Sequence, residues 1–199
     1  MSKPMYKINL IAAFICFTLV FCSCNRQVKR NEACRDKLKT ARDLVYANYN
    51  RQSALDSALH ITNECMQCDS LKKEVVDFKI TLLITMKRYI PGIAFIDSLK
   101  ESDFTFGYKQ RFLSKGLRAL EYNSIDDTAK RDLMYKEIKD DIGQYVKSRT
   151  IGDKEFKEIY TDLFSVMENY LDGDQINEEV KALKMKYPEK QSFFDFFKK

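Results

Sequence analysis

Apolar side chains return every three or four residues from Cys34 onward, and that spacing makes helices the building material of this chain. Cys34, Leu38, Ala41 and Val45 form one stripe, broken at Tyr49-Asn50-Arg51-Gln52, and Leu55, Ala58, Leu59, Thr62 and Cys65 form the next. Asp69-Ser70 offers an N-cap for a longer helix with two apolar faces: Leu71, Val75, Phe78, Leu82 and Met86 on one, Val76, Ile80, Leu83 and Ile84 on the other. A helix apolar on two sides packs between neighbours. Tyr89-Ile90-Pro91-Gly92 turns the chain into a short helix over 93–100, and Phe104, Tyr108, Phe112, Leu117 and Leu120 carry a fifth to about Tyr122. Ser124-Ile125-Asp126-Asp127 reads as a capping box with Asp in place of Glu, opening a sixth helix through Ala129, Leu133, Ile138, Ile142, Tyr145 and Val146. Gly152 and Gly173 read as stops, Asp153 and Asp174 as starts, and Pro188 as the last stop. The clearest stripe is Phe156, Ile159, Tyr160, Leu163, Met167, Tyr170 and Leu171. No segment alternates with period two. With six Gly, three Pro and no Trp, the composition also lacks the turn density of a β protein. The expected fold is all-α, built of antiparallel helix pairs.

Helix pairs begin near Cys34, Leu71 and Phe104, at intervals of 37 and 33 residues. Around the turns, Arg51-Gln52-Ser53-Ala54 and Tyr89-Ile90-Pro91-Gly92 supply a small residue where a second helix would cross a first, the latter with an aromatic at its start. From Cys34 to Tyr122 this resembles tetratricopeptide repeats. The resemblance implies a solenoid with a concave face, and an irregular helical bundle is the alternative.

The N-terminus sets the address. Lys3 and Lys7 precede an apolar run from Ile8 to Cys22, shorter than the ~20 residues a spanning helix needs. It ends Phe21-Cys22-Ser23-Cys24, which resembles the lipobox of bacterial lipoproteins, with Phe21 where that motif usually has Leu. Cys22 is the poorer acceptor, because bulky Phe21 would occupy the cleavage position. The resemblance implies lipidation at Cys24, with 1–23 a signal peptide, 24–32 a tether and 33–199 the helical domain. An uncleaved anchor and an ordinary signal peptide are the alternatives. Cleavage leaves 176 residues and lowers the formal charge from +5 to +3, too mild a balance to argue for nucleic acid. Asn25 is not the Asp that resembles an inner-membrane retention signal, and no acidic cluster follows Cys24, so the expected location is the outer membrane, facing the periplasm. The basic tether, Arg26 to Arg30, reads as a solvated linker or a contact with anionic head groups.

Few constellations carry chemistry. Cys34 lies 16 residues before Asn50, and Cys65 and Cys68 lie 15 and 18 after it, so Cys34 is expected to face one of them, preferably Cys65. An exported chain can oxidise such a pair. Inert free thiols are the main alternative; Cys65-Met66-Gln67-Cys68 falls at a helix end, where the dipole opposes a thiolate, and His60 is the only histidine, which leaves redox and zinc readings as minor ones. Asp126-Asp127, Asp140-Asp141 and Glu178-Glu179 are adjacent pairs that diverge by ~100° on a helix. No catalytic residue, metal site or cofactor is expected. Phe193, Phe194, Phe196 and Phe197 either cap the open end of the core or contact a partner. The resulting expectation is a lipid-anchored interaction module for an envelope protein or peptide. The rival is an envelope carbohydrate- or peptide-acting hydrolase that uses two carboxylates brought together by the fold.

Overall fold

The computed structural model describes residues 31–198, and among them every regular element is a helix. The expected leader over 1–23 and the proposed acceptor Cys24 lie outside the described residues. The all-α expectation holds. The chain divides into two compact units between Leu82 and Leu83.

The first unit contains α1 (31–48), α2 (Gln52–Cys65), a 3-10 turn (Asp69–Leu71) and α3 (Lys72–Thr85) as far as Leu82. Helices α1 and α2 form a hairpin, and Lys37 pairs with Glu64 across it at 2.5 Å. Its core is Cys34, Leu38, Cys65, Cys68, Leu71 and Val75, with Met66 and Phe78 packed on it. Arg42 reaches from α1 to Glu74 at 2.7 Å and lies 5.5 Å over the Phe78 ring, so charge and packing fix the same approach. A disulfide joins Cys34 to Cys68, whose Cα atoms are 6.8 Å apart. Its sequence separation of 34 residues is worth about 4 kcal/mol in the chain-entropy account.

The preference for Cys65 as the partner of Cys34 does not hold. Equal distance from a turn predicts contact only while both chains remain helical. Cys65 is the last residue of α2, and its thiol points at the Cys34 carbonyl oxygen, 3.6 Å away. The chain then leaves the helix, and Cys68 adopts an extended backbone that returns its sulfur to Cys34.

The second unit contains α4 (Tyr89–Asp97), a 3-10 turn (Glu101–Asp103), α5 (Lys109–Ser124), α6 (Thr128–Ser148), α7 (Asp153–Met167), α8 (Gly173–Lys186) and α9 (Gln191–Phe194). The amphipathic stripe of α7 is its centre: Phe156, Ile159, Tyr160, Leu163, Phe164 and Met167 are all buried. Around it lie Phe112 of α5, Ile138 and Ile142 of α6, Ile176 and Val180 of α8, and Phe194 of α9. Gly92 lets α4 approach closely, since a Cβ there would run into Leu117 Cδ2 and lie 3.7 Å from Leu83 Cβ.

Several boundaries differ from the sequence expectation. Helix α4 begins at Tyr89 rather than Ile93, because Pro91 in a first turn forfeits no intrahelical hydrogen bond. Helix α5 begins at Lys109 rather than Phe104. The Asp103 carboxylate accepts from the Lys100 backbone N–H at 3.1 Å, closing a separate turn that leaves Phe104 buried outside the helix. Asp127, not Ser124, caps α6 by accepting from the Lys130 backbone N–H. Gly173 lies inside α8, capped by Asp172 and reciprocally by Gln175.

Candidate functional site

A cleft of about 240 Å³ opens between α5 and α6 in the second unit. Its floor is Phe112, Ile138 and Ile142, each on the inward stripe of its helix, so the base is apolar. Its walls follow from helical spacing. Arg111 sits one residue before Phe112, and Tyr145 and Arg149 follow Asp141 along α6 and its end, at intervals of four.

Gly107 also lines the cleft. A Cβ placed on it would lie 3.4 Å from Arg149 Nη1, 3.5 Å from Glu101 Oε2 and 3.7 Å from Tyr145 Oη, so three polar groups converge where this residue has no side chain.

The walls are rigid. The Tyr108 ring stands edge-on to Phe112 and Tyr145, with centroids 6.0 and 5.7 Å away. The Tyr108 hydroxyl donates to Asp162 Oδ2 at 2.6 Å, and Lys109 pairs with Glu158 and lies 3.8 Å from Asp162. Tyr145 donates to Glu155 at 2.8 Å and accepts from Arg149 Nη1 at 3.3 Å, while the guanidinium lies 4.5 Å over the Tyr145 ring. Burial drives the Tyr108 hydroxyl far above its ordinary pKa, reinforced by Asp162, so it stays a donor. Burial likewise raises the Asp162 carboxyl, against the opposing hydrogen bond from Tyr108 and the charge of Lys109.

The rim charges differ in commitment. Asp141 is tied to Lys115 at 2.8 Å, and Arg149 is held on Tyr145. Among the described residues, neither Arg111 nor the Glu101 side chain has a hydrogen-bond or ion-pair partner. An apolar floor with aromatic walls whose hydroxyls are already hydrogen-bonded, and one uncommitted charge of each sign at the rim, is suited to holding a polar chain segment by its side chains. Asp162 and Glu158 share Lys109, yet neither lines the cleft, and Asp162 is committed to Tyr108.

A wider groove of about 520 Å³ lies along α6 and α8, lined by Tyr135, Lys139, Glu178 and Glu179 among others. There Lys139 is paired with Glu179 and Glu178 with Lys181, which leaves fewer free charges than the cleft rim.

The sequence candidates fall mainly elsewhere. Cys34 and Cys68 are bridged, and Cys65 is buried and free. His60 is exposed on α2 and lies 3.3 Å from Glu64. Phe194 is fully buried against Phe156, Tyr160 and Phe164, Phe197 stacks on Phe164 at 4.1 Å, and Phe193 lies edge-on to Phe156. Phe196 alone of the four is exposed, at 85%. Among the described residues no His, Cys, Asp or Glu side chains group as a metal set, and no helix is long and apolar enough to cross a membrane.

Sequence reading missed the cleft. Its floor residues Phe112, Ile138 and Ile142 fall on the helical stripes, but Glu101, Arg111 and Arg149 lie on three separate segments whose spacing carries no sign of their convergence. Comparison with protein-family models, with curated protein sequences and with solved structures returns no match.

Proposed function

We propose that this chain is a lipid-anchored, periplasm-facing helical module that binds a protein or peptide partner in the cell envelope through the α5–α6 cleft. The observation that carries the binding reading is the uncommitted pair Arg111 and Glu101 above the apolar floor of Phe112, Ile138 and Ile142. Such a site offers opposite charges to the side chains of a partner and an apolar surface to its centre. The anchor reading rests on the lipobox-like Phe21-Cys22-Ser23-Cys24 at the end of the apolar run that begins at Ile8. With Asn25 following the acceptor, the proposed address is the outer membrane. The rival hydrolase would draw on Asp162, whose carboxyl burial holds above its ordinary range. That group lies behind Tyr108 and is already hydrogen-bonded, which favours binding as the reading.

The anchor is tested by growing cells that express the chain with a labelled fatty acid. The wild-type chain is expected to take up label and to mature to a shorter form, while Cys24→Ala stays unlabelled and unprocessed. Undiminished labelling of Cys24→Ala would overturn the anchor assignment.

A further inference from the structure

Three sulfurs share one apolar cluster in the first unit, and one bridge cannot use them all. Cys34 and Cys68 are joined, while Cys65 is completely buried in the same cluster with its thiol free. The Cys65 sulfur lies 3.6 Å from the carbonyl oxygen of Cys34, against the backbone of the residue whose sulfur is already bridged. The two possible partners of Cys34 are 34 and 31 residues away. Loop-closure entropy changes only logarithmically over that range, so it does not choose between them. What differs is the element that is tied. A bridge to Cys68 holds α1 to the turn that leads into α3, whereas a bridge to Cys65 stays within the α1–α2 hairpin.

We infer that this disulfide is a movable staple: Cys65 takes the place of Cys68 as the partner of Cys34, releasing the start of α3 from α1 while the hairpin stays linked. The step is an isomerisation. Cys65 loses its proton to water, its sulfur attacks Sγ of Cys34, and a Cys34–Cys65 bond forms. The Cys34–Cys68 bond breaks with the electron pair leaving on Cys68 Sγ, which then takes up a proton. One disulfide and one thiol stand on each side, so no oxidant or reductant is consumed. Burial holds the Cys65 thiol above its ordinary range, with Lys37 opposing and Glu64 adding, so little nucleophile is present at neutral pH. Exchange is therefore slow until pH rises or the cluster opens.

The test alkylates the folded, unreduced full chain to completion at about pH 8.5, near the ordinary thiol pKa. Peptide mapping without reductant then locates the label and the bridge, and it distinguishes Cys16, Cys22 and Cys24 from the three of interest. The expected result is label on Cys68 together with a Cys34–Cys65 bridge, with the Cys68 label lost in Cys65→Ala. Label on Cys65 alone, with Cys34–Cys68 intact throughout, would overturn the inference. A second arm oxidises Cys68→Ala in a glutathione buffer, where a Cys34–Cys65 bridge is expected. If that variant keeps a helical circular-dichroism spectrum yet retains both thiols free, the inference fails as well.

Discussion

Among the described residues, Lys87 and Asp126 are the non-glycine residues that hold a left-handed backbone, with φ of 54° and 58°. Each ends a helix. The Arg88 N–H reaches back to the Leu83 carbonyl at 2.8 Å and the Lys87 N–H to Ile84 at 2.9 Å, while Asp127 and Asp126 make the same pair of bonds to Tyr122 and Asn123. A short polar side chain tolerates this conformation, but a lysine has no local hydrogen bond to offset the crowding of its Cβ. Lys87→Gly is therefore expected to stabilise the protein by about 0.5–1 kcal/mol, once the extra backbone freedom of glycine in the unfolded chain is subtracted. Its urea midpoint should rise, and an unchanged or lower midpoint would contradict the assignment of strain. Asp162 makes the second residue-scale prediction. Because burial raises its pKa in the folded state, the unfolded chain ionises this group first. Its contribution is fully present below the ordinary aspartate pKa of about 4 and is lost as pH rises through the raised value. Asp162→Asn should flatten that decline in melting temperature. If the wild-type and variant profiles run parallel, the buried carboxyl is not its source.

The C-terminal segment, α9 and the 3-10 turn Asp195–Phe197 that follows it, shows how a role is set by which side chains point inward. Phe194 has no exposed surface and meets three α7 aromatics, whereas Phe196, two residues on, stands in solvent. Phe194→Ala should cost about 3–5 kcal/mol, and Phe196→Ala should fall within about 0.5 kcal/mol of wild type, both read by thermal melting. Equal effects at the two positions would refute the packing described. The sequence already carried much of this level. The α7 stripe and the break at Pro188 follow from local spacing, which nearest neighbours in the chain decide. Gly173 illustrates the limit. Read as a stop, it sits instead inside α8, because Asp172 and Gln175 supply the two capping bonds from positions that a simple glycine rule does not weigh. The Cys34–Cys68 bridge was misjudged by three residues for a related reason, since the chain beyond Cys65 is no longer helical.

At the scale of the molecule, the formal charge of +5 on 199 residues provides no single-sign field to dictate a partner, so recognition is local. The cleft was not legible because its defining groups come from the Glu101–Asp103 turn, from α5 and from the residue after α6. Their convergence depends on how α5 and α6 pack and on the space left at Gly107. The most direct test of the binding reading places a photo-activated crosslinking side chain at Gln144 or Ser148, both at the cleft, and at Lys157 on α7 as a control, in the full chain within living cells. A discrete adduct is expected from Gln144 and Ser148 that disappears when Arg111→Glu is added, with none from Lys157. Adducts of equal yield from Lys157, or none from either cleft position, would contradict the binding reading.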